Sequence, residues 1–364
     1  MERKKVLVAM SGGLDSSVVA MLLHEQGYDV LGITMKVWDY DYMGDKAPES
    51  GCCNLDSIND ARTVAVNLGF PHYVLDLRKE FKSLVIDDFI SEYLRGRTPN
   101  PCILCNTHMK WDALLKKADQ LGCQYIATSH YANIRFSDNR YILSKGADEN
   151  KDQSYVLWGL SQEKLSRTLF PLGNYTKPEI REMARKRGYE KIAAKRESYD
   201  ICFVPDNNYR SFLQANVPDI DQQIGEGNFV NSQGKILGRH KGFPYYTIGQ
   251  RKGLVIAMGE PYYVTKIDAL TNTITLGPKN ELEGTEAYIK KYNLCKWDHI
   301  PTDFSATVKI RYKDKGTSAI VNCYPDYIHV HFLQGVPSIA PGQSAVIYDG
   351  NDVVAGGFIN TQLL

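Results

Sequence analysis

Two groups of residues in this chain have the types and spacing to do chemistry. The first is the run Ser11, Gly12, Gly13, Leu14, Asp15, Ser16, Ser17. Paired glycines let a backbone approach a phosphate closely, a helix opening just after them presents unpaired N–H groups, and the hydroxyls of Ser11, Ser16 and Ser17 add donors. Asp15 is the odd member, because a carboxylate beside phosphate makes sense chiefly through a cation. The run lacks the Gly-Lys-Ser/Thr ending of a Walker loop and lacks GxGxxG, so neither of those fingerprints applies. The second group is cysteine. Cys102 and Cys105 lie in Arg97–Lys110, RTPNPCILCNTHMK, and Cys202 lies in Glu197–Phe203, ESYDICF. The prolines predict an irregular loop before a helix that starts near Asn106 or Thr107, which puts Cys105 at its N-terminus. There the helix dipole and Arg95, Arg97 and Lys110 would favour the thiolate. Read locally, Cys202 is either a reactive thiol or a buried strand cysteine, cysteine being among the most buried residue types.

The elements that must position these groups follow from periodicity. Apolar runs at Val6–Met10, Val30–Val37, His72–Leu77 and Tyr125–Thr128 read as strands, and Ser16–Glu25, Ser57–Leu68 and Met109–Leu121 as helices, the second entered through Asp56 with an acid, Asp60, four residues on. The alternation predicts a doubly wound parallel sheet. A further helix begins near Lys177 and Pro178, and its Arg181, Arg185, Lys186 and Arg187 read as a solvated face. Beyond about residue 210 short β-type segments alternate with Gly, Asn, Asp and Pro. A hairpin is expected from Tyr262–Ile267 and Thr273–Leu276, and a terminal barrel or sandwich from Ser305–Tyr312, Thr317–Tyr324, Tyr327–Phe332, Ser344–Tyr348 and Val353–Phe358. The expected organisation is an α/β catalytic domain with a helical extension over 1–210, a small β-rich domain over 211–282 and a β-barrel over 283–364.

Composition narrows the class. A chain of 364 residues, 43% hydrophobic and 23% charged, has room for two or three cores. A formal charge of +1 means that a nucleic-acid partner would have to be met by local basic patches. With no membrane-length apolar stretch, the expectation is a cytoplasmic protein whose eight cysteines are reduced thiols. Adjacent Cys52 and Cys53 read as packing or loop residues.

The glycine loop resembles the SGGxDS loop of enzymes that cleave ATP between the α and β phosphates, a superfamily that transfers AMP to an oxygen and so activates it. Taken in order, SGGLDSS, NPCILCN, ATSHY at Ala127–Tyr131, KDQSY at Lys151–Tyr155, DICF at Asp200–Phe203 and YTIGQRKGL at Tyr246–Leu254 are similar to the bacterial tRNA-specific 2-thiouridylase family across most of the chain. The resemblance implies that Cys105 is the nucleophile and Cys202 carries a persulfide, and that Ala9, Met10, Ser11, Gly12, Gly13, Leu14, Asp15, Ser16 and Met35 hold ATP with Mg²⁺. Asn100, Pro101 and Cys102 would face the target base; His130, Lys151, Asp152, Gln153, Arg311, Tyr312 and Gln343 would touch tRNA. For His130 and Gln343 alone, structural hydrogen bonding is the competing reading. The implied reaction is adenylation of uridine O2 at wobble position 34 and then sulfur transfer, with an upstream persulfide donor as partner. The rivals are another adenylating synthetase with the same loop, or a sulfur-carrier or RNA-binding protein without turnover. Two departures stand out: Ser129 replaces a glycine that many members use at the ATP site, and Cys102 replaces an aspartate. Cys102 then tunes Cys105, or joins Cys105 and Cys202 as ligands of a [4Fe–4S] cluster with one open iron, or contributes to a zinc site.

Overall fold

The computed structural model describes residues 3–38, 55–195, 201–204, 208–254, 256 and 259–360; Cys52, Cys53 and residues 197–200 of the Cys202 segment lie outside them. Two compact units emerge: one from 1–85, 102–207 and 351–353, the other from 86–101, 208–350 and 354–364.

The first unit is built on β1 (Lys5–Ala9), α1 (Leu14–Glu25), β2 (Asp29–Lys36), α2 (Leu55–Leu68) and β3 (His72–Asp76), followed after a crossover by β4 (Tyr125–Ala127) and later by a short β5 (Thr168–Leu169). All pair in parallel in the order β3-β2-β1-β4-β5. Val6, Leu7 and Val8 are fully buried, as a central parallel strand covered on both faces requires. Chain order reverses between β1 and β4. The carboxyl ends of those strands therefore flank the crevice where open α/β sheets bind ligands, and both the glycine loop and Ser129 with His130 leave the sheet at that point.

Two features of this unit differ from expectation. Residues 132–145 form an antiparallel hairpin, Ala132–Ser137 with Arg140–Lys145, turned by Asp138 and Asn139 in left-handed conformations; Asp-Asn is the signal that could have found it. The helix carrying the cysteines starts at Pro101, not near Asn106. It runs through Pro101–Leu104, a π-helical segment Cys105–Lys110 and Trp111–Gln120 without a break, Leu104 and Lys110 both keeping helical dihedrals. Proline suits a first helical turn because its missing N–H is one the helix would leave unpaired. Pro101 thus opens the helix, and Cys105 lies inside it.

In the second unit, Gly227–Val230, Ile236–His240, Tyr263–Asp268 and Thr273–Gly277 form a four-stranded sheet that contains the expected hairpin. The barrel has six strands, Glu283–Leu294, Phe304–Lys309, Thr317–Cys323, Ile328–Pro337, Ser344–Asp349 and Asp352–Asn360, and the first closes it by pairing with both the fourth and the last. That first strand escaped the sequence reading. Its register shifts at Gly284/Glu286 and Lys290/Asn293 interrupt the alternation by which strands are recognised.

Ile289 in the closing strand stands opposite Ile328 and Ile359 and is fully buried. Ile289→Ala is expected to destabilise the barrel by about 3 kcal/mol, seen as faster amide exchange in 283–360 with β1–β4 protected as before.

Candidate active site

The glycine loop begins where β1 ends. Gly12 has φ +72°, and a Cβ there would lie 1.9 Å from the Ser57 carbonyl oxygen. Only glycine satisfies both the left-handed backbone and that approach to α2. The serine hydroxyls are used differently from the sequence expectation. Ser16 and Ser17 are buried and donate to the Gly13 carbonyl at 3.2 and 2.8 Å, and Ser16 Oγ accepts from the Ser11 N–H at 3.1 Å. They shape the loop; Ser11 alone of the three is exposed. Lys195 donates to the Gly12 carbonyl at 2.7 Å and pairs with Asp60, so Asp60 acts in this ion pair and not as a capping partner of Asp56, which lies within the first turn of α2.

The cation beside Asp15 comes from the chain itself. Lys177 Nζ donates to both carboxylate oxygens at 2.7 Å, and the Tyr131 hydroxyl donates to Oδ1 at 2.9 Å. Lys177 opens a helix, Lys177–Lys186, whose preceding Thr176 donates its N–H and hydroxyl to Glu179, both at 2.7 Å. The basic run that follows is less solvated than expected. Arg181 donates to the Ala193 and Lys195 carbonyls, Arg187 is bidentate on Glu25 at 2.6 Å, and Arg185 and Lys186 pair locally with Glu182. Lys177 and Lys195 were missed because nothing local marks a lysine whose partner lies 162 or 183 residues away.

Of the other nucleotide candidates, Met10 accepts from the Thr34 hydroxyl at 2.7 Å, and Met35, half-buried, sits one residue before the end of β2. Thr34 also meets His72 Nε2 at 2.9 Å, and burial lowers the pKa of that imidazole. His130 packs against Trp111 and Phe170 and meets Thr128 Oγ1 through Nδ1 at 2.8 Å. The protein packed around it, helped by the Lys110 charge, pushes its pKa down to about 3, so the ring is neutral at physiological pH.

The cysteine helix is pinned from outside. Asn106 donates to the Val156 carbonyl at 3.0 Å and accepts from Lys110 at 3.0 Å, and the Thr107 carbonyl accepts from Lys164 at 2.6 Å. Cys105 is buried on this segment, 7% exposed, while Cys102 in the first turn is exposed. The surrounding protein raises the Cys102 thiol pKa, with Lys110 opposing. Arg95 and Arg97, expected to act on Cys105, belong to the other unit and pair there with Glu92. Cys202 is exposed in a turn beside buried Phe203, whose ring meets Phe81 edge-on at 5.5 Å; the buried-strand reading of Cys202 does not hold. Among the described residues no three of Cys, His, Asp and Glu gather so as to hold a metal ion, and Cys102, Cys105 and Cys202 form no such set.

A family model described as tRNA methyl transferase HUP domain matches residues 4–206, one described as tRNA methyl transferase PRC-barrel domain matches 210–278, and one described as aminomethyltransferase beta-barrel domain matches 285–359. The tRNA-specific 2-thiouridylase MnmA of Amoebophilus asiaticus is 56% identical over 360 residues, which is 99% of this chain and 96% of that protein. The protein of the same name from Cytophaga hutchinsonii is 52% identical over 361 residues, 99% and 98% of the two chains. The chain belongs to the tRNA-specific 2-thiouridylase family. Among solved structures, a 4-thiouridine synthetase–RNA complex with bound ATP covers 59% of this chain and 51% of that one at 19% identity and a TM-score of 0.34, too distant to place any residue of the site.

The positions that the 2-thiouridylase motifs associate with tRNA have varied surroundings. Asp152 is buried and accepts from the Gly146 and Ser154 N–H groups and the Ser154 hydroxyl at 3.0–3.2 Å, shaping its own turn. Gln153 Oε1 accepts from the Tyr131 N–H at 3.0 Å, and Lys151 beside them is half-buried. In the second unit, Gln343 donates to the Thr98 and Pro99 carbonyls at 3.2 and 3.1 Å, bracing the segment that leads to half-buried Asn100. Arg311 and Tyr312 are exposed, Arg311 donating to the Pro337 carbonyl at 2.8 Å.

Gly12→Ala is expected to cost about 3 kcal/mol from the left-handed backbone and the contact with Ser57 together, and to abolish ATP binding by calorimetry. A pKa below the unfolded value near 6.5 means that the unfolded chain binds the proton at His130 first. The stability tied to this ring is present at neutral pH and falls as pH drops below about 6.5; His130→Gln should flatten that part of the urea midpoint against pH.

Proposed function

We propose that this protein is an ATP-dependent tRNA uridine 2-sulfurtransferase acting on wobble position 34. The observation that carries the reading is that one compact unit holds both chemistries, a phosphate loop at the switch point of a parallel sheet and two cysteines, one buried in a pinned helix and one exposed in a turn. The names of relatives more than half identical over nearly the whole chain agree with it.

In this reading ATP lies with its phosphates on the loop Ser11–Ser16 and its adenine near Met35 and Ser129. Mg²⁺ fits as it commonly does in phosphate sites, on one carboxylate plus substrate phosphates; Asp15 is that carboxylate, and the ion would neutralise phosphate charge. Uridine O2 attacks the α-phosphorus, N3 gives up its proton, the bond to the β-phosphate breaks and pyrophosphate leaves. The terminal sulfur of a Cys202 persulfide then attacks C2 and AMP departs. The Cys105 thiolate attacks Cys202 Sγ, which frees the 2-thiouridine and leaves a Cys105–Cys202 disulfide for an external thiol to reduce. Asn100, Pro101 and Cys102 would border the base, which an anticodon loop presents without the cost of opening a duplex. The β-rich regions 211–282 and 283–364 would hold the tRNA body, Arg311 touching phosphate. No helix among the described residues is long and apolar enough to cross a membrane, and we place the enzyme in the cytoplasm with a persulfide-donating partner.

AMP and pyrophosphate should form only when tRNA is added. Cys202→Ser should abolish 2-thiouridine yet leave AMP formation intact, because activation of O2 uses no thiol. Cys102→Ser should slow thiolation without stopping it. If iron-free enzyme supplied with a persulfide makes no product while activity follows iron and sulfide content, the persulfide route is wrong. Arg311→Ala should weaken tRNA binding and lower the slope of log K against log salt by about 1; an unchanged slope removes Arg311 from the interface.

A further inference from the structure

We propose that Lys177 is a substrate-contacting residue: displaced from Asp15 when ATP binds, its ammonium takes up the charge of the β- and γ-phosphates and stabilises the departing pyrophosphate. The inference rests on the adenylation reading above and assigns a residue that none of the sequence motifs singled out.

The geometry separates what is fixed from what can move. Asp15 is the second residue of α1, within one turn of the glycines, and Lys177 Nζ meets both of its oxygens at 2.7 Å with 11% of the lysine side chain exposed. The backbone of Lys177 is anchored: its N–H donates to Asp148 at 2.9 Å, and buried Asp148 also accepts from the Asn150 N–H at 3.0 Å. Only the flexible four-carbon stem and its ammonium are exchangeable. Asp15 keeps the Tyr131 hydroxyl on Oδ1 at 2.9 Å, so the carboxylate stays in place when the lysine leaves. The charges of Lys177 and Asp15 offset one another; a polyphosphate arriving at the helix N-terminus offers the ammonium several negative oxygens in place of one carboxylate.

Lys195 does not have this freedom. It donates to the Gly12 carbonyl at 2.7 Å and pairs with Asp60, so it positions the loop. In the chemical step the bond from O2 to the α-phosphorus forms, the bridging bond to the β-phosphate breaks, and the electron pair goes with pyrophosphate. Lys177 compensates that charge without transferring a proton.

The test uses the full-length enzyme and its Lys177→Met, Lys177→Arg and Asp15→Asn variants, with magnesium-free pyrophosphate and AMP titrated separately by calorimetry and AMP formation followed in single turnovers with tRNA. Lys177→Met should bind pyrophosphate at least tenfold more weakly and AMP unchanged, and its AMP formation should fall on the order of 10²–10³-fold, the cost of losing one preorganised donor. Lys177→Arg should recover part of both losses. Asp15→Asn, which leaves the ammonium unneutralised, should bind magnesium-free pyrophosphate more tightly than the parent. Equal weakening of AMP and pyrophosphate in Lys177→Met would make the lysine a structural prop and overturn the proposal, as would an Asp15→Asn enzyme without the gain. If the unmodified enzyme forms no AMP with tRNA, the adenylation reading fails on its own, and the pyrophosphate titrations still decide whether Lys177 contacts phosphate.

Discussion

The carboxylate of Asp15 draws together three stretches of chain that sequence keeps far apart. It stands on the first turn of α1, takes the hydroxyl of Tyr131 from just beyond β4, and takes both of its hydrogen bonds to Lys177 from the start of a later helix. The loop carbonyls at Gly12 and Gly13 are held by Lys195 and by Ser16 and Ser17, so the loop's shape is set by contacts within the chain. Such preorganisation matters because each donor that must be found and oriented at binding costs side-chain entropy. The arrangement also explains why Ser16 and Ser17 face inward: they hold the Gly13 carbonyl, which leaves the phosphates we propose for this loop to backbone N–H groups and to Lys177.

The cysteine helix shows a similar division of labour. Helical N–H groups point toward the N-terminus, so the positive end of this helix's dipole lies at Pro101 and Cys102 and not at Cys105. A π-helical turn replaces the ordinary ladder from Cys105 to Lys110, with the Trp111 N–H bonded to the Asn106 carbonyl, and such turns recur at functional sites because they re-aim side chains. Here the turn buries Cys105, Asn106 and Thr107 together. A Cβ on Gly159 would come within 2.2 Å of Thr107 Oγ1, so the segment after KDQSY is shaped to accept the turn. Cys105 is thereby shielded from solvent, whereas Cys202 is exposed in its turn, which suits the division of roles we propose for them, a protected nucleophile and a sulfur loaded from outside.

Much of this was legible in the amino-acid sequence, and the parts that were share one cause. Strand–glycines–helix, the parallel alternation, the helix at Lys177 and most barrel strands depend on local patterns: period 2, period 3.6, and glycine where φ is positive. What only the tertiary structure decided depends on partners distant in sequence. Asp15 pairs with Lys177, Asp60 pairs with Lys195, Asp152 accepts hydrogen bonds within its own turn, Arg181 donates to the Ala193 and Lys195 carbonyls and Arg187 pairs with Glu25. The closing barrel strand escaped because bulges break its alternation, and the start of the cysteine helix was misplaced because Pro101 was read as a loop residue when it suits a first helical turn. A sequence displays the chemistry its residues own, but which charge meets which, and which thiol is buried, is set by packing between segments that periodicity cannot relate.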